Sequence, residues 1–140
     1  MVVVLIIAIL IAIAIPTFLG ARTRAQDKAS QSNLRNGITA AKTVFVDGQD
    51  YSTGATPAAL IAVEPSLVFQ AAASTQPKEV SINAPSASTI YMASMSKSGT
   101  CWAVKDVQAA GGAGTSYAKV VGACLATDAS VTGATYADSF

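Results

Sequence analysis

Met1 to Ala21 reads MVVVLIIAILIAIAIPTFLGA and contains no ionisable side chain; Arg22 is the first. Wound as a helix, these residues span about 31 Å, close to the thickness of a bilayer's hydrocarbon core. The run is apolar on every side, with no polar stripe to turn towards water. Its bulky members are Met1, Val2, Val3, Val4, Leu5, Ile6, Ile7, Ile9, Leu10, Ile11, Ile13, Ile15, Phe18 and Leu19. Leaving them in water would cost on the order of 20–40 kcal/mol. A whole domain is stable by only about 5–15 kcal/mol. The segment is therefore expected to sit in lipid or against copies of itself.

Two details set it apart from a simple anchor. Pro16 lies inside the run, where it has no N–H to offer the carbonyl of Ala12. The run also passes without a linker into a polar, helix-favouring stretch, ARTRAQDKASQSNLRNGITAAKTVF. There Leu34, Ile38, Ala41 and Phe45 recur at the spacing of one helical face, with charged and amide residues elsewhere. Gly37 weakens such a helix by up to about 1 kcal/mol, and Gly48 is the expected stop.

The block Met1–Arg22, with its internal proline and the following Arg-x-Arg-Ala-Gln-Asp, resembles the N-terminal helix of type IV pilins. Strong matching covers roughly the first thirty residues, and the rest agrees in layout. Members of that family open with Phe-Thr-Leu-Ile-Glu-Leu after a basic leader is removed by a prepilin peptidase. Neither segment is in this sequence, so the glutamate that pairs with a neighbouring subunit's amine has no counterpart here. The resemblance implies a stem at residues 1–21 and a head at residues 22–140 that includes the second half of the helix. It also implies that the backbone around Ala8–Pro16 unwinds once subunits are packed, Ala12 and Pro16 marking the helix break.

Past the helix, Gly48–Thr56 reads as a loop. Thr56-Pro57 resembles an N-cap with proline at the first helical position, opening a short helix to about Val63. Leu67, Val68 and Phe69 are expected to plug the core. From Lys78 the apolar period becomes two: Val80 and Ile82, then Ile90–Met95, then Cys101–Val107 and Tyr117–Cys124. Trp102 and Val104 fall on one face, Cys101 and Ala103 on the other. Ala109–Gly114, AAGGAG, reads as a flexible turn. The expected fold is α+β and pilin-like, a long helix with a three- or four-stranded antiparallel sheet laid across its second half.

The 140 residues carry a net charge of +1 with 12% charged residues, too weak a field to select nucleic acid. Cys101 and Cys124 are expected to pair as one disulfide in an exported chain, two separate buried thiols being the alternative. A bridge over such a loop contributes about 3 kcal/mol on the loop-entropy argument. The basic residues Arg22, Arg24 and Lys28 would place their end in the cytoplasm under the positive-inside rule. The pilin resemblance implies the opposite, and the cysteine pair favours an oxidising side.

Catalysis is poorly provided for. The chain has no histidine, which excludes Ser-His-Asp and Cys-His mechanisms. Ser96, Lys97 and Ser98 are neighbours, but adjacent strand residues point to opposite faces. The carboxylates are scattered, with no calcium-loop spacing, and AAGGAG lacks the Lys and Ser/Thr of a phosphate loop. Trp102 beside a cysteine in an alternating strand reads as core. Arg22, Arg24 and Lys28 could touch headgroups or nucleic acid; the simpler expectation is pairing with acids such as Asp27 on adjacent subunits, or solvation.

The expectation is thus a non-enzymatic subunit without cofactor or metal. It would wait in the cytoplasmic membrane, be extracted by an inner-membrane assembly machine and polymerise with identical copies into an open extracellular filament. Motility, adhesion or DNA uptake are the uses this implies, nucleic acid entering only as cargo. The alternatives are a pseudopilin of a secretion or competence system and a membrane-anchored monomeric binding protein.

Overall fold

In a computed structural model that describes residues 1–109, 112 and 114–140, one helix, α1, runs from Val2 to Gly48. Two short helices, α2 (Tyr51–Gly54) and α3 (Pro57–Val63), follow it. Five strands come next: β1 (Val68–Gln70), β2 (Glu79–Ser86), β3 (Thr89–Met95), β4 (Cys101–Val107) and β5 (Gly114–Val120). A last turn of helix, α4, spans Ala129–Thr132. The fold is α+β, as the change of apolar period predicts.

The strands lie in sequence order, β1-β2-β3-β4-β5. All neighbours are antiparallel except β1, which runs parallel to β2. The sheet therefore has one strand more than expected. Three-residue β1 escaped the period count because only Leu67 and Phe69 are buried while Val68 faces out. The strand expected to stop before Pro85 continues to Ser86 through a register shift between Asn83 and Ser86, an irregularity that accommodates proline. Strand β5 starts and ends earlier than expected, so Cys124 lies beyond it. The turn expected over 109–114 lies largely outside the described residues.

The second half of α1 crosses one face of the sheet. Leu34, Ile38 and Ala41 are buried there with Val80, Ile90, Met92 and Val104, and Trp102 packs against them. The helical spacing and the strand alternation thus meet on one core. Gly37 is buried at this crossing, where an added Cβ would come within 3.3 Å of Phe69 and 3.4 Å of Met92. The glycine permits close approach of helix to sheet, which the sequence alone presents only as a weakness.

The opposite face is covered by the C-terminal segment. Ala93, Cys101, Ala103, Ala118 and Val120 pack there with Cys124 and Val131. Cys101 and Cys124 form a disulfide with Cα atoms 5.4 Å apart. Ala126 and Ser74 bind the segment to β2 and to the loop before it, through Ala126 N–H to Ser81 Oγ and Ser74 N–H to the Cys124 carbonyl. The tail then pairs Ala137 with Tyr117 at the β5 edge. Phe140 turns back to the helix side, against Trp102 edge-on at 5.4 Å and Tyr117 at 4.4 Å.

Two ends depart from the sequence reading. Helix α1 does include Gly48, but the left-handed residue that closes it is Gln49, at φ 54° and ψ 22°. The expected loop at 48–56 contains α2, capped by Asp50, whose carboxylate accepts from the N–H groups of Ser52 and Thr53. Thr56 caps α3 as expected, accepting from Ala59 N–H.

Candidate assembly surface and the junction of stem and head

Among the described residues of the apolar first half of α1, none is buried by the rest of the chain. From Val2 to Leu19 the large apolar side chains are 50–70% exposed, and Met1 is more open still. That is the exposure left when a helix's own backbone is the sole cover. No polar side chain interrupts it except Thr17, whose hydroxyl donates back to the carbonyls of Ile13 and Ala14. This is the one helix among the described residues long and apolar enough to cross a membrane.

The helix passes Pro16 without a break. Proline removes one backbone bond, that to Ala12, yet the flanking turns keep the axis helical in the single chain. The unwinding around Ala8–Pro16 implied by the pilin resemblance, with its break at Ala12 and Pro16, concerns packed subunits and is an expectation for that state.

The stem is joined to the head without a hinge. Ser30, one of the first buried residues of α1, donates to Ser94 in β3, to its hydroxyl at 3.1 Å and its carbonyl at 3.3 Å. Asn33 Nδ2 donates to the carbonyl of Pro77 at 2.8 Å, and Ser94 Oγ donates to the same oxygen at 3.0 Å. These bonds hold the Gln76–Lys78 loop against the helix.

The four charged residues expected at subunit contacts divide into two groups. Arg22, Arg24 and Lys28 are exposed. Asp27 is occupied within the chain, accepting a short hydrogen bond from Ser98 Oγ in the β3–β4 turn. Burial would raise its pKa, but the hydroxyls of Ser98 and Ser96, the Trp102 indole and the Lys119 charge together lower it. The Trp102 N–H is itself buried without a hydrogen bond of good geometry, as is Gln31 Oε1.

Higher on the helix lies the one ion pair found among the described residues. Lys42 Nζ stands 3.0 Å from Asp106 Oδ1, and the carboxylate is fully buried while the lysine is 42% exposed. Asp106 also accepts from Tyr51 Oη at 2.7 Å, Gln108 Nε2 at 2.6 Å and Thr115 Oγ1 at 2.6 Å. Burial pushes its pKa up, yet these donors outweigh it and the net shift is down. Tyr51 is pushed up, by burial first and by Asp106 second. Sequence reading missed this cluster because its members lie in α1, α2, β4 and β5 with no local spacing to connect them. Its saturated bonding is that of a structural clasp between helix and sheet.

No family model, curated protein or solved structure matches this chain.

Proposed function

We propose that this chain is a structural subunit that polymerises through its N-terminal stem into an extracellular filament of the type IV pilus kind. The observation that carries the reading is the bare stem: about 31 Å of uncharged helix, its large apolar side chains exposed, continuous with the spine of the head. A flexible link would suffice for an anchor. A helix locked to the sheet by Ser30, Asn33 and Leu34 fixes the angle between stem and head, which a repeating helical contact requires. Contacts between different faces of identical subunits propagate as an open fibre when the rotation does not close. Before assembly the same stem is accommodated by the bilayer, and transfer from lipid to a bundle of stems keeps it out of water at both stages.

The disulfide between buried Cys101 and Cys124 supports an oxidising destination for the head. The buried carboxylate of Asp106 is sealed from solvent and bonded to four donors, an arrangement that suits structure over catalysis.

The test is electron microscopy of surface material sheared from cells that produce the chain, with immunolabelling of the head. The expected result is long labelled fibres, lost in Ile9→Asp, because an unpaired charge in an apolar core costs several kcal/mol. Short envelope-confined assemblies would favour a pseudopilin. Anchored monomers in both variants would overturn the reading.

A further inference from the structure

Where the stem enters the head, a cleft of about 590 Å³ opens between α1 and two loops of the sheet. Its helix wall is Arg22, Ala25, Gln26, Ala29 and Asn33; the facing wall is Gln76–Lys78 with Lys97. Arg22, Lys78 and Lys97 are three of the nine basic residues of the chain, and no carboxylate lines the cleft. The nearest acids in sequence, Asp27 and Glu79, accept from Ser98 and Thr75 and do not line the cleft. All three cations are exposed. Ala25, Ala29 and Pro77 add apolar surface to the lining, beside the positive charge of Arg22, Lys78 and Lys97.

Its height along the molecule is fixed by the stem. Arg22 is the first charged side chain after the uncharged run, so with the stem in a bilayer it stands at the level of the lipid phosphates. Lys97 adjoins Ser98, which is bonded to Asp27, and so stands little more than one helical turn further from the membrane. Lys78 adjoins Pro77, which is bonded to Asn33, and marks the upper end.

We infer that this cleft is a binding site for the headgroup of an anionic phospholipid, with the phosphodiester between Arg22 and Lys97 and Lys78 adding its positive field from the upper end. The inference rests on the stem lying in lipid before assembly. A fixed lysine or arginine at a membrane surface attracts anionic lipid over about a Debye length. Here three cations from α1 and two loops line one cleft, which favours a held headgroup over a diffuse counter-ion layer. The site would hold the unassembled subunit at a set depth and rotation in the membrane and would empty on extraction.

The experiment uses the full chain in phosphatidylcholine nanodiscs with trace spin-labelled phosphatidylglycerol or spin-labelled phosphatidylcholine. The readout is the motionally restricted fraction of each label. Phosphatidylglycerol should be preferred by about fivefold or more at low salt. The preference should vanish in Arg22→Gln/Lys78→Gln/Lys97→Gln. It should persist in Arg24→Gln/Lys28→Gln, which removes two charges of the same helix outside the cleft. A triple variant that keeps the preference, or a double variant that loses as much, overturns the site. Millimolar inorganic phosphate at matched ionic strength should not compete; competition would assign the cleft to a soluble anion and overturn the lipid assignment. A chain that inserts without preference removes the headgroup site and leaves the filament reading intact. Failure to enter the discs removes both, and preference without filaments in cells removes the filament reading alone.

Discussion

The phenol of Tyr51 donates a 2.7 Å hydrogen bond to the carboxylate of Asp106, 55 residues away, and both side chains are fully buried. This bond ties the turn that follows the long helix to the far end of β4. Around it, Lys42, Gln108 and Thr115 complete the coordination of one carboxylate by donors from helix and sheet.

The cluster should respond asymmetrically to truncation. Asp106→Ala leaves the buried phenol of Tyr51 and the donors of Gln108 and Thr115 without their acceptor, and should cost about 3–5 kcal/mol, the half-exposed Lys42 turning to water. Lys42→Met takes the counter-charge from a fully buried carboxylate that keeps three other donors, and should cost about 2 kcal/mol. Urea unfolding of the detergent-solubilised chain measures both; equal losses would contradict a clasp centred on Asp106.

Stability should fall on both sides of neutrality. Asp106 is held below its ordinary 3.8, so the unfolded chain takes up protons first as pH falls through that value. Its contribution is complete above 3.8 and disappears as pH drops through the lower folded value. Tyr51 is held above its ordinary 10.0, so the unfolded chain ionises first as pH rises past 10. Asp27 adds to the acid limb and Tyr136, also raised, to the alkaline limb. Urea midpoints against pH should show Asp106→Asn flattening the acid limb in part and Tyr51→Phe the alkaline limb in part.

Replacing Cys101 and Cys124 together by Ser should lower stability by about 3 kcal/mol, the value expected for a loop with a sequence separation of 23. The segment that covers the second face of the sheet would then be held by Ala126, Val131 and Tyr136, the Ala137–Tyr117 pairing and a few other hydrogen bonds, with the covalent anchor at Cys124 gone. Limited proteolysis should cut after Val121 in the variant before it cuts the strands. Membrane insertion, read by flotation, should be unchanged, since the stem makes no contact with this face.

Gly37→Leu should destabilise the head by about 1–3 kcal/mol, since a side chain here meets Phe69 and Met92 at close range. Gly20→Leu, on the open stem where an added Cβ meets nothing, should instead leave unfolding unaffected. Thermal unfolding of both variants separates packing from helix propensity, which would favour leucine over glycine at either site.

The sequence by itself determined the elements whose signal is local. Twenty-one uncharged residues define the stem, the 3.6-residue recurrence of Leu34, Ile38 and Ala41 defines the buried helix face, and alternation defines β2, β3 and β4. Thr56-Pro57 marks a helix start because capping needs one hydroxyl and one fixed φ, both written in adjacent residues. Tertiary structure decided what depends on partners distant along the chain: parallel β1, the Asp106 cluster, the close approach at Gly37, and the basic cleft made by Arg22, Lys78 and Lys97. The physical reason is range. Period and capping act within a turn or two of backbone, whereas a buried carboxylate or a converging set of cations exists only after long-range pairing brings separate elements together.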